Sequence, residues 1–259
     1  MPKFHANISM MFQEFTFLDR FEAAALAGFT AVEMLFPYAY EVDILKALLT
    51  KHKLKLELFN LYPGDDALGE RGIAALPNRR AEFKRSALQA VNYAKALGCP
   101  RLHCMSGIVA ADMDKLAYTN IYIENLKYLA DLAQPFGINI LIEALNPIDM
   151  PGYLVSSQQQ ALDIMQQVGK DNVKIQFDIY HCQMSQGNVA QTMTNLMPHI
   201  DHIQLADVPG RHEPGSGEIN FDFLFKQLDE VGYTGSLGCE YRPRVGTLKG
   251  LGWLPKDGA

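Results

Sequence analysis

Acidic and amide side chains that could hold a metal ion follow four successive apolar segments in the second half of the chain. These segments end on or carry Glu143, Asp178, Gln204 and Glu240, at spacings of 35, 26 and 36 residues. Three carboxylates brought close together repel one another unless a cation joins them. Because all four residues offer oxygen donors, the pattern predicts a divalent metal ion, Mg²⁺ or Mn²⁺ rather than Zn²⁺. A lone carboxylate at a strand end can also cap a helix, so the prediction depends on the four together.

Three further polar residues are predicted to bind a substrate beside this metal. His181 lies in Phe-Asp-Ile-Tyr-His, at the start of a predicted loop, where a neutral imidazole could donate to a substrate oxygen. Arg211 lies in Pro-Gly-Arg-His-Glu-Pro-Gly, where its guanidinium could pair with a substrate carboxylate. Asn7 lies at the end region of the first predicted strand, and Glu33 at that of the second, so both could line the same pocket. For each of them, a structural or solvated role is the alternative.

The elements that must position these residues alternate between short apolar segments and longer amphipathic stretches, with Gly, Asn or Pro between them. Eight strands in chain order, joined by helices, predict an α/β fold with a parallel sheet closed into a (β/α)₈ TIM barrel. In such barrels the chemistry lies at the carboxyl ends of the strands. The strands are predicted at Phe4–Ile8, Ala31–Leu35, Leu54–Asn60, Arg101–Met105, Ile138–Glu143, Val173–Asp178, His199–Ala206 and Ser236–Glu240.

One domain is predicted to span residues 1–259, with a Gly/Pro-rich tail from about residue 241. The long loop from Tyr62 to Pro77 is interpreted as an active-site flap. A Rossmann fold is disfavoured because no Gly-x-Gly-x-x-Gly follows the first strand. The helices are predicted at Phe17–Ala27, Glu41–His52, Arg79–Leu97, Met113–Phe136, Ser157–Val168, Val189–Leu196 and Phe221–Val231.

Composition narrows the classes of partner. The formal net charge is −6 and no dense run of Lys and Arg is present, which argues against nucleic-acid binding. No apolar stretch approaches about 20 residues and the start of the chain lacks a signal-like segment, so a cytoplasmic protein with no membrane partner is expected. The four cysteines form no Cys-x-x-Cys pair and are expected to be buried free thiols. The oligomeric state stays open, a homo-oligomer included.

Several longer motifs accompany the strand-end residues. They are Phe-His-Ala-Asn-Ile-Ser-Met-Met-Phe (4–12), Phe-Asp-Ile-Tyr-His (177–181), His-Glu-Pro-Gly-Ser-Gly-Glu-Ile-Asn (212–220) and Gly-Cys-Glu-Tyr-Arg-Pro (238–243). Together with the four candidate ligands, they resemble the hydroxypyruvate isomerase family within the xylose-isomerase-like barrel superfamily. The similarity extends from about residue 4 to Trp253.

This resemblance implies an isomerase that interconverts hydroxypyruvate and tartronate semialdehyde, with a small hydroxy-keto acid as its binding partner. A metal would polarise the C2 carbonyl, and the catalytic residues Glu143 and Glu240 would move the proton between C3 and C2 through an enediolate. Which glutamate acts as base in the forward direction stays open. Relatives that act on four-carbon 2-oxo acids leave a 2-oxo-tetronate isomerase as the main alternative.

Functions of other classes fit the same residues less well. In related ketose 3-epimerases a His stands at the place of Gln204, which disfavours epimerisation of free ketoses. A DNA-repair endonuclease on this barrel needs many His ligands for a trinuclear zinc site, whereas only His181 and His103 lie near predicted strand ends. A Schiff-base aldolase is disfavoured because no Lys ends a strand. A barrel that binds a metal or sugar acid without turnover stays as a further alternative.

Overall fold

Parallel strands that pair in chain order form the wall of a closed barrel in the computed structural model, which describes residues 2–254 without the side chain of residue 66. Within that range there are eight such strands, β1 to β8, and the last pairs with the first, as the sequence predicted. Their bounds are β1 Lys3–Asn7, β2 Ala31–Met34, β3 Lys55–Asn60, β4 Arg101–His103, β5 Asn139–Glu143, β6 Val173–Asp178, β7 Ile200–Leu205 and β8 Ser236–Cys239.

Amphipathic helices surround this barrel and pack their apolar sides against it. Helix α3, for example, buries Phe83, Ala87, Val91 and Ala94, which recur at the three- and four-residue spacing of one helical face. The α-helices of the described range are α1 Arg20–Leu26, α2 Val42–His52, α3 Arg80–Leu97, α4 Lys115–Ala133, α5 Gln158–Val168, α6 Ile179–Ser185, α7 Val189–Leu196 and α8 Phe221–Glu230. None of them combines the length and apolar character of a membrane span.

The prediction that His181 begins a loop is wrong, because it lies in α6. Asp178 ends β6 and caps this short helix: its Oδ1 accepts hydrogen bonds from the backbone N–H groups of Tyr180 (2.7 Å) and His181 (3.3 Å). Helix α6 has only seven residues and directly follows the strand, so it carries too little periodicity to be recognised in the sequence. The N-cap thereby determines where His181 stands relative to the end of β6.

The tail after β8 turns back over the barrel instead of leaving it. The hydroxyl oxygen of Thr247 accepts a hydrogen bond from the backbone N–H of Phe12 at 2.6 Å. The Trp253 ring packs edge-on against Phe4, with ring centroids 5.1 Å apart. Residues 255–259 of the predicted tail lie outside the described residues. The four cysteines are all buried and free in the described structure, as expected.

Candidate active site

A cavity of about 990 Å³ opens at the carboxyl ends of the strands. Its deep wall includes Glu143 and Glu240 together with His103, His181 and Arg211, whereas Asp178 and Gln204 lie almost fully buried behind that wall. The long loop predicted to be a flap contributes Pro63, Glu70 and Arg71 to the outer wall. The carboxylates predicted to do chemistry therefore stand where a small molecule can reach them.

The long loop is held close to the residues that follow β4. Gly72 has φ +107°, and a Cβ atom at that position would lie 2.4 Å from the carbonyl oxygen of Met105. The backbone N–H of Gly72 also donates to the carbonyl oxygen of Pro63 at 2.6 Å. A residue with a side chain would be strained in this conformation and would clash at this distance. Glycine here allows the close approach that brings the neighbouring Arg71 to the cavity.

The structure brings the four predicted metal ligands into one region. Ligand atoms of Glu143, Asp178 and His181 lie within 4.8 Å of one another. Asp178 and Gln204 are register partners on the neighbouring strands β6 and β7. Glu240 directly follows β8, and Arg211 links it to Asp178, since one guanidinium nitrogen lies 2.5 Å from Glu240 Oε2 and 3.5 Å from Asp178 Oδ2.

Two carboxylate oxygens of this group fit a bound cation. Within the described residues, Glu143 Oε1 and Asp178 Oδ2 are buried and accept no hydrogen bond. A buried carboxylate oxygen without a donor is costly, and a metal ion is a usual reason for one. The donor set of three carboxylates and the Gln204 amide suits a hard divalent ion such as Mg²⁺ or Mn²⁺.

Burial and mutual repulsion change the acidity of these carboxyl groups. Burial, followed by the charges of Glu240 and Asp178, raises the pKa of Glu143 well above its usual range. Burial likewise raises the pKa of Glu240 to about 8, although Arg211 opposes the shift. The pKa of Asp178 is also raised by burial, against the effect of Arg211. One guanidinium cannot neutralise three buried carboxylates, so the site without a cation retains protons near neutral pH.

His181 is held as a neutral imidazole with its proton on Nε2. Its Nδ1 faces two donors of Asn146, the backbone N–H at 3.1 Å and the side-chain Nδ2 at 2.8 Å. The Asn146 amide cannot be reversed, because its Oδ1 already accepts from the backbone N–H groups of Ile148 and Asp149. Nδ1 therefore accepts, and Nε2–H is the donor that remains on the ring. Burial, followed by Arg211 and His103, holds the pKa of His181 well below its usual range, which agrees with the neutral form.

His103 is a cavity residue to which sequence reasoning assigned no role. Its Nδ1 lies 3.3 Å from Glu143 Oε2, and neither ring nitrogen has a hydrogen-bond partner among residues 2–254. Burial, followed by the charge of His202, lowers the pKa of His103 to about 3. A neutral ring with two unengaged nitrogens faces the same cavity as the two glutamates. Its place at the carboxyl end of β4 was the available signal in the sequence.

A layer of polar residues below the cavity was also missed. Glu33 of β2, predicted only as a pocket-lining candidate, is buried and accepts hydrogen bonds from side chains of β1 and β7. Burial alone would raise the pKa of Glu33, but hydrogen bonds from His202 and His5 outweigh it and hold the pKa well below its usual range. The sequence contained a signal for this polar layer, since residues two apart on a strand lie on the same face of the sheet. Each of three inward faces carries a polar pair, namely His5 with Asn7, Gln176 with Asp178, and His202 with Gln204.

The two other predicted substrate-binding residues lie closer to the carboxylates than expected. Arg211 is engaged by Glu240 and Asp178, and its guanidinium lies 5.0 Å above the centre of the Tyr180 ring. Asn7 is almost fully buried, and its amide donates to Glu33 at 3.0 Å and to Glu240 at 3.2 Å. Asn7 thus contacts the catalytic candidate Glu240, and its role toward substrate stays a prediction.

Comparisons with known proteins agree with this barrel. The family model described as Xylose isomerase-like TIM barrel matches residues 21–257. A 2-oxo-tetronate isomerase of Cupriavidus necator is 49% identical over 254 residues, 98% of each chain. A hydroxypyruvate isomerase of Escherichia coli is 44% identical over 254 residues, again 98% of each chain. A crystal structure of a Brucella melitensis protein named AP endonuclease, family 2, has a TM-score of 0.95 at 45% identity and covers 98% of both chains.

Proposed function

Because the chain belongs to the xylose isomerase-like TIM barrel family, we propose that it converts hydroxypyruvate to tartronate semialdehyde and back. The chain is an isomerase, as are its relatives named hydroxypyruvate isomerase and 2-oxo-tetronate isomerase. The observation that carries the proposal is the group of buried carboxylates at the cavity wall and directly behind it, with two oxygens that accept no hydrogen bond from the described residues. Such a group serves metal-assisted proton transfer next to a carbonyl.

A four-carbon substrate is the second candidate. Relatives named 2-oxo-tetronate isomerase are 48% and 49% identical to this chain, compared with 44% for the hydroxypyruvate isomerase of Escherichia coli. The cavity of about 990 Å³ is also large enough for one additional hydroxymethyl group. Both substrates are 2-oxo acids with a hydroxyl group on C3, so the same proton transfer between C3 and C2 would convert either one.

The residues that would hold the metal are Glu143, Asp178, Gln204 and Glu240. When bound there, Mg²⁺ or Mn²⁺ supplies a positive charge that polarises the substrate carbonyl and favours the enediolate. Gln204 would provide a neutral oxygen, so the set carries three negative charges at most. This choice of donors disfavours the borderline, nitrogen-preferring ions that a histidine at position 204 would suit.

The proton transfer is assigned to the two glutamates. In the forward direction one carboxylate removes a proton from C3 of hydroxypyruvate, and the electron pair of that C–H bond forms the C2–C3 double bond of the enediolate. A proton is then added at C2, the proton of the C3 hydroxyl passes to the C2 oxygen, and C3 becomes the aldehyde carbon. Glu143 and Glu240 come from strands on different sides of the barrel, so one can serve each carbon.

Donors around the cavity would orient the substrate. The Nε2–H of His181 would donate to a substrate oxygen, since Asn146 already donates to Nδ1. Arg211 would bind the substrate carboxylate, since its Nε–H has no hydrogen-bond partner among the described residues. Arg71, on the outer wall, is a second guanidinium within the same cavity and would hold the carboxylate from the loop side.

The direct test is turnover by metal-stripped protein with Mg²⁺ or Mn²⁺ restored. Hydroxypyruvate and 2-oxo-tetronate would be offered side by side, with a free ketose and abasic-site DNA as substrates of the competing functions. Metal-dependent conversion of either oxo acid supports the proposal, and the ratio of the two kcat/KM values decides the chain length. Turnover of the ketose or the DNA in place of both oxo acids would contradict it.

A further inference from the structure

The buried carboxylate of Glu33 lies at the centre of a hydrogen-bond network that joins three strands. Its Oε2 accepts from Nε2 of His5 (2.9 Å) and Nε2 of His202 (2.8 Å). Its Oε1 accepts from Nδ2 of Asn7 (3.0 Å) and Nε2 of Gln204 (2.7 Å). Glu33 is not part of the cavity wall, so it cannot touch a substrate there. Because it accepts from four donors, the Glu33 carboxylate nevertheless holds the side chains around it in fixed orientations.

The barrel leaves room for this carboxylate at one position of β8. A Cβ atom built on Gly238 would lie 2.4 Å from Glu33 Oε2 and 2.7 Å from Glu33 Oε1. Both distances are well below van der Waals contact, and the carboxylate is held by four partners, so it has little freedom to withdraw. Because residue 238 is a glycine, the Glu33 carboxylate has room at the centre of the barrel.

One arm of the network determines how Gln204 is oriented. Its Nε2 donates to Glu33, and an ionised carboxylate only accepts, so the amide nitrogen must face Glu33. On the other side, Gln204 Oε1 accepts from Nε2 of Gln176 at 2.5 Å. The carbonyl oxygen, the only side-chain atom of a glutamine that can bind Mg²⁺ or Mn²⁺, is thereby turned away from Glu33 and retains a second lone pair.

The other arm reaches Glu240 through Asn7. The Asn7 Nδ2 group donates both to Glu33 and to Glu240 Oε1, at 3.0 and 3.2 Å. Its Oδ1 accepts from the backbone N–H groups of Ser9 and Met10, which prevents the amide from reversing. Asn7 is thus a bridge whose two hydrogens connect the central carboxylate with a catalytic candidate.

We propose that Glu33 is a positioning residue, which orients the Gln204 oxygen for the metal and holds Glu240 through Asn7. The inference rests on the metal site of the proposed function and adds the residues that hold its ligands in place. Partners that orient metal ligands from behind usually change metal affinity by about ten- to a hundredfold when they are lost. Loss of Glu33 should therefore weaken metal binding even though Glu33 touches no metal.

The test measures Mn²⁺ affinity of the metal-stripped protein by isothermal titration calorimetry, without any substrate. Glu33→Gln leaves one accepting oxygen for two pairs of donors, the histidines on one side and Gln204 with Asn7 on the other, and its Mn²⁺ Kd should rise by about ten- to a hundredfold. Gln204→Glu alone should also bind more weakly, because two carboxylates then face each other. In the double variant the two side chains exchange roles, so the amide at position 33 can donate to the carboxylate at position 204. The Kd of the double variant should therefore return toward that of the wild type.

A matched control comes from the opposite end of the barrel. Glu57 is a partly buried carboxylate that pairs with Arg101 at 2.8 Å and contacts no residue of the site. Glu57→Gln should lower the melting temperature and leave the Mn²⁺ Kd unchanged. If Glu33→Gln does not fold, Glu33→Asp takes its place, since it keeps the charge while shortening the reach to Gln204.

The outcomes separate the two proposals. A wild-type protein that binds no Mn²⁺ overturns the metal site and this inference with it. A wild-type protein that binds Mn²⁺, together with a folded Glu33 variant of equal affinity, overturns the inference alone. Weaker binding by Glu33→Gln without recovery in the double variant also contradicts it, because the orientation of Gln204 would then not be the cause.

Discussion

Binding of Mn²⁺ to the metal-free protein should release protons, because the candidate site retains them at neutral pH. Burial raises the pKa of Glu240 to about 8, and burial with the neighbouring carboxylates raises the pKa of Glu143 well above its usual range. At pH 7, below its pKa of about 8, Glu240 is mostly protonated, and the raised pKa of Glu143 favours the protonated form there too. A metal ion requires both groups as carboxylates, so about one proton or more should leave per ion bound at this pH.

The release can be measured by calorimetric titration at pH 7 in two buffers that differ in ionisation enthalpy. Mn²⁺ affinity should increase by about tenfold per pH unit for each proton released below pH 8, and the increase should lessen above it. Glu240→Gln cannot lose a proton at this position, so it should release about one proton fewer than the wild type. Equal heats in the two buffers, with an affinity that does not change between pH 6 and pH 9, would refute the reasoning.

The same shifts determine how stability depends on pH. Between the ordinary glutamate pKa of 4.5 and about 8, the folded metal-free protein binds a proton at Glu240 that the unfolded chain does not. The free energy of unfolding should therefore fall as pH rises through this window. Thermal unfolding of the metal-free protein at pH 6 and pH 8.5 tests the sign, and saturating Mn²⁺ should reduce the difference, since binding removes the requirement for the proton.

Four substitutions test other parts of the site. Glu240→Gln should lower kcat by at least about a hundredfold, the usual effect of losing a general acid or base, and a near-normal rate would rule out its catalytic role. Arg71→Ala should raise KM about ten- to a hundredfold with kcat retained, and an unchanged KM would remove it from carboxylate binding. Asn146→Asp should move the proton of its histidine partner to Nδ1, visible by ¹⁵N NMR, and lower kcat/KM on the order of tenfold, whereas an unaltered ¹⁵N spectrum would contradict the tautomer assignment. Gly238→Ala should lower the free energy of unfolding by about 1–3 kcal/mol in denaturant titrations, because its methyl group would overlap Glu33, and an unchanged value would show that the carboxylate can move aside.

The fold was predictable because its signals are local. Strand bounds agreed within about two residues, since apolar segments of four to eight residues separated by amphipathic helices repeat along the whole chain. The strand-end residues Glu143 and Asp178 were found by the same rule, and the structure places them in one group. The short helix α6 was missed because it depends on a side-chain cap by Asp178 and not on a repeating pattern.

The sequence-based prediction did not include the polar residues inside the barrel. The missed residues are His5, Gln176 and His202. They stand two residues before Asn7, Asp178 and Gln204 on the same inward faces, away from the strand ends. Alternation could have identified these positions as inward-facing. It could not have shown that they converge on one carboxylate.

The barrel, the order of its units and the candidate ligands follow from the sequence, because strand and helix periodicity and the residue at each strand end are properties of short segments. Which groups meet depends on the folded barrel. His5 and Gln204 lie 28 and 171 residues from Glu33 along the chain, yet both donate to its carboxylate. Closure of the barrel and the stagger of its strands bring them together, and those depend on the whole sheet at once. The same closure placed Arg211 between Asp178 and Glu240, which no spacing in the sequence indicates.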